Sequence, residues 1–216
     1  MTSSNFRCSG RLSAPLTMTL CAIKSVALIM NARDEVLLKI GRNVVNFQKI
    51  EATLKFLVLW SAVQGDPRNL KETRAKQAKS IRNRAMGQLA DSYHQNVYLN
   101  ESERGQPTDS STPWISVRFS LEIDPEIAKT RKRELKALVA ERNRLIHKDL
   151  AYFDFDSDES CSKLVIKLDE QNARILTKLE ELRAMRDTFE QFRQELTKIM
   201  NTEEFIAAFE HELQRA

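Results

Sequence analysis

Across residues 34–63 the apolar positions Val36, Leu37, Ile40, Val44, Phe47, Ile50, Leu54, Leu57 and Val58 recur at steps of three and four. Side chains at that spacing share one face of a helix, so a long amphipathic helix is expected, ended by the turn Gly65-Asp66-Pro67. A second helix is predicted over residues 69–99. It is polar over most of its surface, with Leu70, Ile81, Met86, Leu89 and Tyr93 inward. A polar loop over 101–113 follows, and then the period changes to two. Ile115, Val117, Phe119, Leu121 and Ile123 alternate with Ser116, Arg118, Ser120 and Glu122, which is a strand signal with no obvious partner nearby.

Asp124 followed by Pro125 and Glu126 reads as a cap with proline at the first helical position. The third helix runs from there to about residue 148 and turns Ile127, Leu135, Leu138, Val139, Leu145 and Ile146 inward. Residues 149–159 form an acidic loop whose Tyr152, Phe153 and Phe155 are expected to tuck beneath it, with Ser157 or Asp158 capping the next helix. The fourth helix, over 160–200, carries Leu164, Ile166, Leu168, Ile175, Leu179, Leu182, Met185, Phe189, Phe192, Leu196 and Ile199. A short last helix over 203–213 presents Phe205, Ile206, Phe209 and Leu213. The expected fold is therefore all-α: an up-and-down bundle of four to five helices with a short β-like excursion near 114–123.

Composition agrees with that reading. Five Gly and five Pro in 216 residues favour long uninterrupted helices, and 42% hydrophobic residues suffice for one sizeable core. The expected organisation is a poorly ordered N-terminal extension over 1–33 and a single helical domain over 34–216. Residues 14–30 are mostly apolar, but Lys24 interrupts them and the run is too short to span a membrane. Cys8, Cys21 and Cys161 form no CxxC pair, which argues for a reducing compartment and against a zinc site. A cytoplasmic protein without metal or other cofactor is expected. Asp154, Asp156 and Asp158 lack the glycine and the terminal glutamate of a calcium loop.

The net charge of +4 is mild, but it is unevenly spread. Arg68, Lys71, Arg74, Lys76, Lys79, Arg82 and Arg84 face only Glu72 in the second helix, and the third helix has a comparable basic face. Such runs are either solvated surface or contacts for phosphates. The third helix closes on Glu141-Arg142-Asn143-Arg144-Leu145-Ile146-His147, one of three histidines in the chain. Asn143 and Arg144 lie four and three residues before His147 and share its helical face, whereas Arg142, five before it, sits roughly 140° away on an ideal helix. Imidazole is suited to moving a proton near neutral pH, and guanidinium to holding a phosphate. An isolated histidine at a helix C-terminus also simply complements the helix dipole, so residue chemistry alone leaves both readings open.

The run Arg142-Asn143-Arg144-Leu145-Ile146-His147 resembles the Arg, polar residue, three residues, His motif of the HEPN superfamily (higher eukaryotes and prokaryotes nucleotide-binding domains). Its place at the end of a late helix in a helical bundle is similar too, as is an opening helix with the character of residues 47–57. The resemblance implies a metal-independent endoribonuclease, a toxin or phage-defence effector among its possible roles, working on RNA as a homodimer. Arg142 would stabilise the charged transition state, His147 would serve as general acid or base, and Asn143 would orient the pair. Arg144, Lys148, Arg74, Lys79 and Arg82 would then contact RNA, and an antitoxin or regulatory protein would be a partner. Asp149 stands where one branch of the family has tyrosine. Some HEPN domains bind without catalysis, so a helical interaction or nucleic-acid-binding module of the same fold is the alternative.

Overall fold

The computed structural model describes residues 31–98 and 115–215; the expected loop over 101–113 and nearly all of the expected N-terminal extension lie outside them. The described residues form α1 (Ala32–Trp60), β1 (Ala62–Gly65), a single 3-10 turn at Pro67–Asn69, α2 (Leu70–Arg82), α3 (Met86–Tyr98), β2 (Ile115–Arg118), α4 (Pro125–Arg144), a π-helical turn (Leu145–Asp149), α5 (Asp158–Met200) and α6 (Glu203–Arg215). The protein is an all-α bundle with a small β excursion. None of the described helices is long and apolar enough to cross a membrane.

Side-chain pairs give the direction of each helix. Arg33 meets Asp156, Arg42 meets Asp169 and Asn46 meets Asn172, so α1 and α5 run parallel. Lys136 pairs with Asp91 and Arg131 with Tyr98, which makes α3 and α4 antiparallel. Lys178 pairs with Glu134 and Arg174 with Glu141, which does the same for α4 and α5. Ile50, Leu54 and Leu57 of α1, Leu89 and Val97 of α3, and Ile175 of α5 form the fully buried centre. Asn43, also fully buried, donates through Nδ2 to the Leu168 carbonyl and to Gln171 Oε1, tying α1 to α5 at one register.

Several expectations change in detail. The strand after the loop does have a partner. β2 pairs antiparallel with β1, Ala62 opposite Arg118 and Gly65 opposite Ile115; residues 61–63 thereby fall outside the first helix, and the strand ends at Arg118 rather than near 123. Gly65 closes β1 at φ +151°, a backbone region disfavoured for side-chain-bearing residues. The predicted second helix is two helices, broken at residues 83–85. Asn83 caps α2 through its backbone, and the Gln88 side chain accepts from the Ala85 N–H at 3.2 Å to start α3. Leu37, Ile127 and Ile166 are exposed rather than inward; Ile166, two residues from both Leu164 and Leu168, falls on the opposite face of α5 from these buried leucines. Phe153 and Phe155 tuck in as expected, ring against ring at 4.8 Å, but Tyr152 is 93% exposed. Ser157 caps α5 by accepting from the Ser160 N–H, and the Cys161 thiol beside it is buried with its pKa pushed up by that burial.

Two buried polar groups have measurable consequences. Lys178 is nearly buried between α4 and α5, where its ammonium meets Glu134 at 2.8 Å and Glu181 at 2.5 Å. Burial alone would lower its pKa, and the two carboxylates outweigh burial and raise it. Both glutamates reach solvent and can rehydrate, so Lys178→Met should change stability by no more than about 1.5 kcal/mol in urea unfolding. A loss well beyond that would mark the ion triad as essential to the fold.

His94 is buried in α3, and its ring makes no well-formed hydrogen bond, only a weak approach to the Ala128 backbone. Burial, with Lys132 adding to it, lowers its pKa below the ordinary 6.5. The unfolded chain therefore takes up this proton first as the pH falls, and folding stability drops below about pH 6.5. Above that pH the imidazole is neutral in both states and contributes no slope. Thermal melts of wild type and His94→Leu between pH 7.5 and 5.5 should diverge in slope, the variant being flatter. Parallel slopes would exclude His94 as the source.

Candidate active site

The end of α4 lies at the pole of the bundle opposite the two-stranded sheet, beside the starts of α1 and α5. Asp124 starts α4 by accepting from the Glu126 N–H at 2.7 Å, with Pro125 at its first position. Glu141 then ties the far end to α5: it accepts two bonds of 3.1 Å from Arg174 and one of 3.4 Å from Gln171. Leu145, buried in the core, anchors the next turn.

From Leu145 the backbone widens. The Leu150 N–H bonds the Leu145 carbonyl at 3.3 Å, an i→i+5 bond, and residues 145–149 form a π-helical turn. Such a turn holds more residues than an α turn, so each one advances through a smaller angle. Arg142 and His147 therefore stand closer in azimuth than the roughly 140° that five residues of straight α-helix would give. Only the last two of the five steps lie in the widened turn, so the angle narrows part of the way, to roughly 100°.

Arg142 is half-buried, and its Nη1 donates to the Asn143 Oδ1 at 3.1 Å. That bond holds the guanidinium against the helix end. Asn143, His147 and Lys148 are exposed. The arrangement is open rather than a closed small-molecule pocket, so its chemistry is accessible to a macromolecule.

Arg144 goes elsewhere. Two residues from Arg142, it is rotated by about 200° and lines a separate cleft with Asp149, Phe153, Lys163 and Lys167. The more distant candidates divide. Arg74 is engaged in the fold: its Nη1 donates to the carbonyls of Leu59 and Ala62 and to Gln77, and its guanidinium covers the Trp60 ring at 4.6 Å. It finishes α1, so we read it as a structural residue rather than an RNA contact. Lys79 and Arg82 are exposed in the last turn of α2.

Sequence reading missed Glu141 and Arg174 as the brace behind Arg142, and Lys163 and Lys167 in the neighbouring cleft. The first pair is separated by 33 residues, and the second is hidden in the alternating charges of α5. Among the described residues no three His, Cys, Asp or Glu side chains gather as a metal-holding group. Comparison of the chain with protein-family models, with curated proteins and with solved structures finds no match.

Proposed function

We propose that the protein is a metal-independent endoribonuclease of the HEPN type, acting as a homodimer in which Arg142, Asn143 and His147 of both protomers form one cleft. The observation that carries this reading is the exposed end of α4, where Arg142 donates to the Asn143 side chain and His147 stands in the π-helical turn two residues beyond Leu145. The turn closes α4 rather than interrupting it, as π-turns at helix C-termini do, and so leaves these side chains on an exposed helix end.

The chemistry follows from the two side chains. A ribose 2′-hydroxyl attacks the adjacent phosphorus, the new O2′–P bond forms, and the P–O5′ bond breaks. One imidazole takes the 2′ proton and another supplies a proton to the leaving 5′ oxygen, while guanidinium meets the charge that builds on the phosphate oxygens. A single chain brings one His147, and a two-fold axis brings the second. Lys148, Lys79 and Arg82 steer RNA through charge. Uncontrolled cleavage of cellular RNA harms the cell, so a toxin or phage-defence role in the cytoplasm, restrained by an antitoxin or regulatory protein, belongs to the same reading.

The test is cleavage of end-labelled RNA in excess chelator. Products with 2′,3′-cyclic phosphate and 5′-hydroxyl ends are expected, with a specific rate that rises with protein concentration as dimers form. Intact RNA under all conditions, or cleavage that stops on chelation, would defeat the proposal. Binding without cleavage would leave a nucleic-acid-binding module of the same fold.

A further inference from the structure

A second feature lies at the same pole of the bundle. A cleft of about 500 Å³ opens between the π-helical turn and the first turns of α5, lined by Arg144, Asp149, Phe153, Lys163, Leu164 and Lys167. We propose that this cleft is a nucleotide subsite for single-stranded RNA, which takes one phosphodiester on Arg144 and Lys167 and one base against Phe153. The proposal rests on the ribonuclease reading for the identity of the polymer, and it adds where the strand lies beside the reactive end.

The cations come from two elements and converge. Arg144 is the last residue of α4, and Lys163 and Lys167 are one turn apart on α5. Lys163 is already paired with Glu159 at 2.5 Å, one turn earlier on the same line. Arg144 and Lys167 have no ion pair or hydrogen bond among the described residues, so their charges are available. Lys163 is offset by Glu159 and the loop adds Asp149, Asp154, Asp156 and Asp158, of which Asp156 pairs with Arg33, so the positive field is confined to Arg144 and Lys167. That field suits a single phosphodiester better than a polyphosphate, whose several charges would also meet these carboxylates.

Phe153 supplies the second half of the argument. It is half-buried, and the edge-on contact with Phe155 at 4.8 Å holds it in the cleft wall. A positive groove beside a fixed aromatic ring is the recurring form of single-strand sites, because every base has a stacking face whatever its sequence. A duplex keeps its bases stacked on one another and cannot use such a ring, which points to single strands. Arg144 ends α4 and His147 follows three residues later inside the π-helical turn, so the cleft and the reactive end share one short stretch of backbone. A strand seated on Arg144 would pass its neighbouring phosphate close to His147.

The experiment measures both binding and cleavage on the full chain. A fluorescent single-stranded RNA is titrated by anisotropy against His147→Ala protein, chosen to stop cleavage, over a series of salt concentrations. Adding Arg144→Ala and Lys167→Ala together should reduce the slope of log K against log salt by about 0.7, the value for one lost single-strand phosphate contact. Phe153→Leu should weaken binding at least about fivefold with little change in slope, and a duplex of the same sequence should be insensitive to it. Lys167→Glu, an exposed position, keeps the test valid if Phe153→Leu unfolds. Unchanged slopes and affinities in a protein that cleaves RNA overturn the subsite and leave the ribonuclease reading intact. Cleft-dependent binding by a wild type that never cleaves supports the subsite and overturns the ribonuclease.

Discussion

His147→Ala is expected to slow RNA cleavage by roughly 10²–10⁴-fold, the span attributable to one positioned acid–base group, while leaving the melting temperature where it was. The two expectations belong together. His147 is exposed and has no hydrogen bond or ion pair among the described residues, so removing it takes no packing or pairing from the fold. Surface substitutions of that kind stay within about 0.5 kcal/mol. Arg142→Lys sharpens the result, because it keeps the positive charge and loses the planar fork that meets two phosphate oxygens at once. Its rate should fall about 10²-fold or more, as for loss of one oriented donor to the transition state. Rates under single-turnover conditions with calorimetric melts of each variant decide the matter. Wild-type rates in both variants would place the chemistry elsewhere, and a collapse of the melt in His147→Ala would make the histidine structural.

What the chain discloses in advance depends on whether a feature is local. The stripes of α1 and α5, the Asp124-Pro125 start of α4 and the cap before α5 are all contained within a few consecutive residues, and the structure has each of them. The pairing of β1 with β2 is not local: Ala62 and Arg118 are 56 positions apart, and Ala-Val-Gln-Gly has no period of its own. The break between α2 and α3 carries no proline, and it is set by Gln88 reaching back to Ala85. At the candidate site the residue types were legible and their geometry was not. An ideal helix favours Arg144 as the neighbour of His147, and the i→i+5 bond at Leu150, which widens the turn and changes those angles, has no signal in the sequence. Arg144 is left to the adjacent cleft, a role that needs Lys163 and Lys167 from another helix to be seen.

The stability of the bundle should depend most on the middle of α1, and Leu54→Ala is expected to cost about 2–5 kcal/mol. Leu54 is fully buried, flanked on its own helix by the equally buried Ile50 and Leu57. Core packing surrounds α1 at this level, with α5 running parallel beside it and α3 on another flank, so neither neighbour can shift to fill a lost isobutyl group without disturbing the other. For a domain of this size the loss corresponds to a fall of roughly 4–20 °C in melting temperature. Leu37 offers the matching control: the same residue type on the same helix, within the same three-and-four pattern, yet 47% exposed. With much of its surface already in water, Leu37→Ala should cost under about 1 kcal/mol. Urea unfolding of both variants, with equal slopes against denaturant, tests the burial pattern directly. Equal losses at the two positions would mean that α1 is rotated about its own axis, away from the face that buries Leu54, and the register that Asn43 sets against α5 would fall with it.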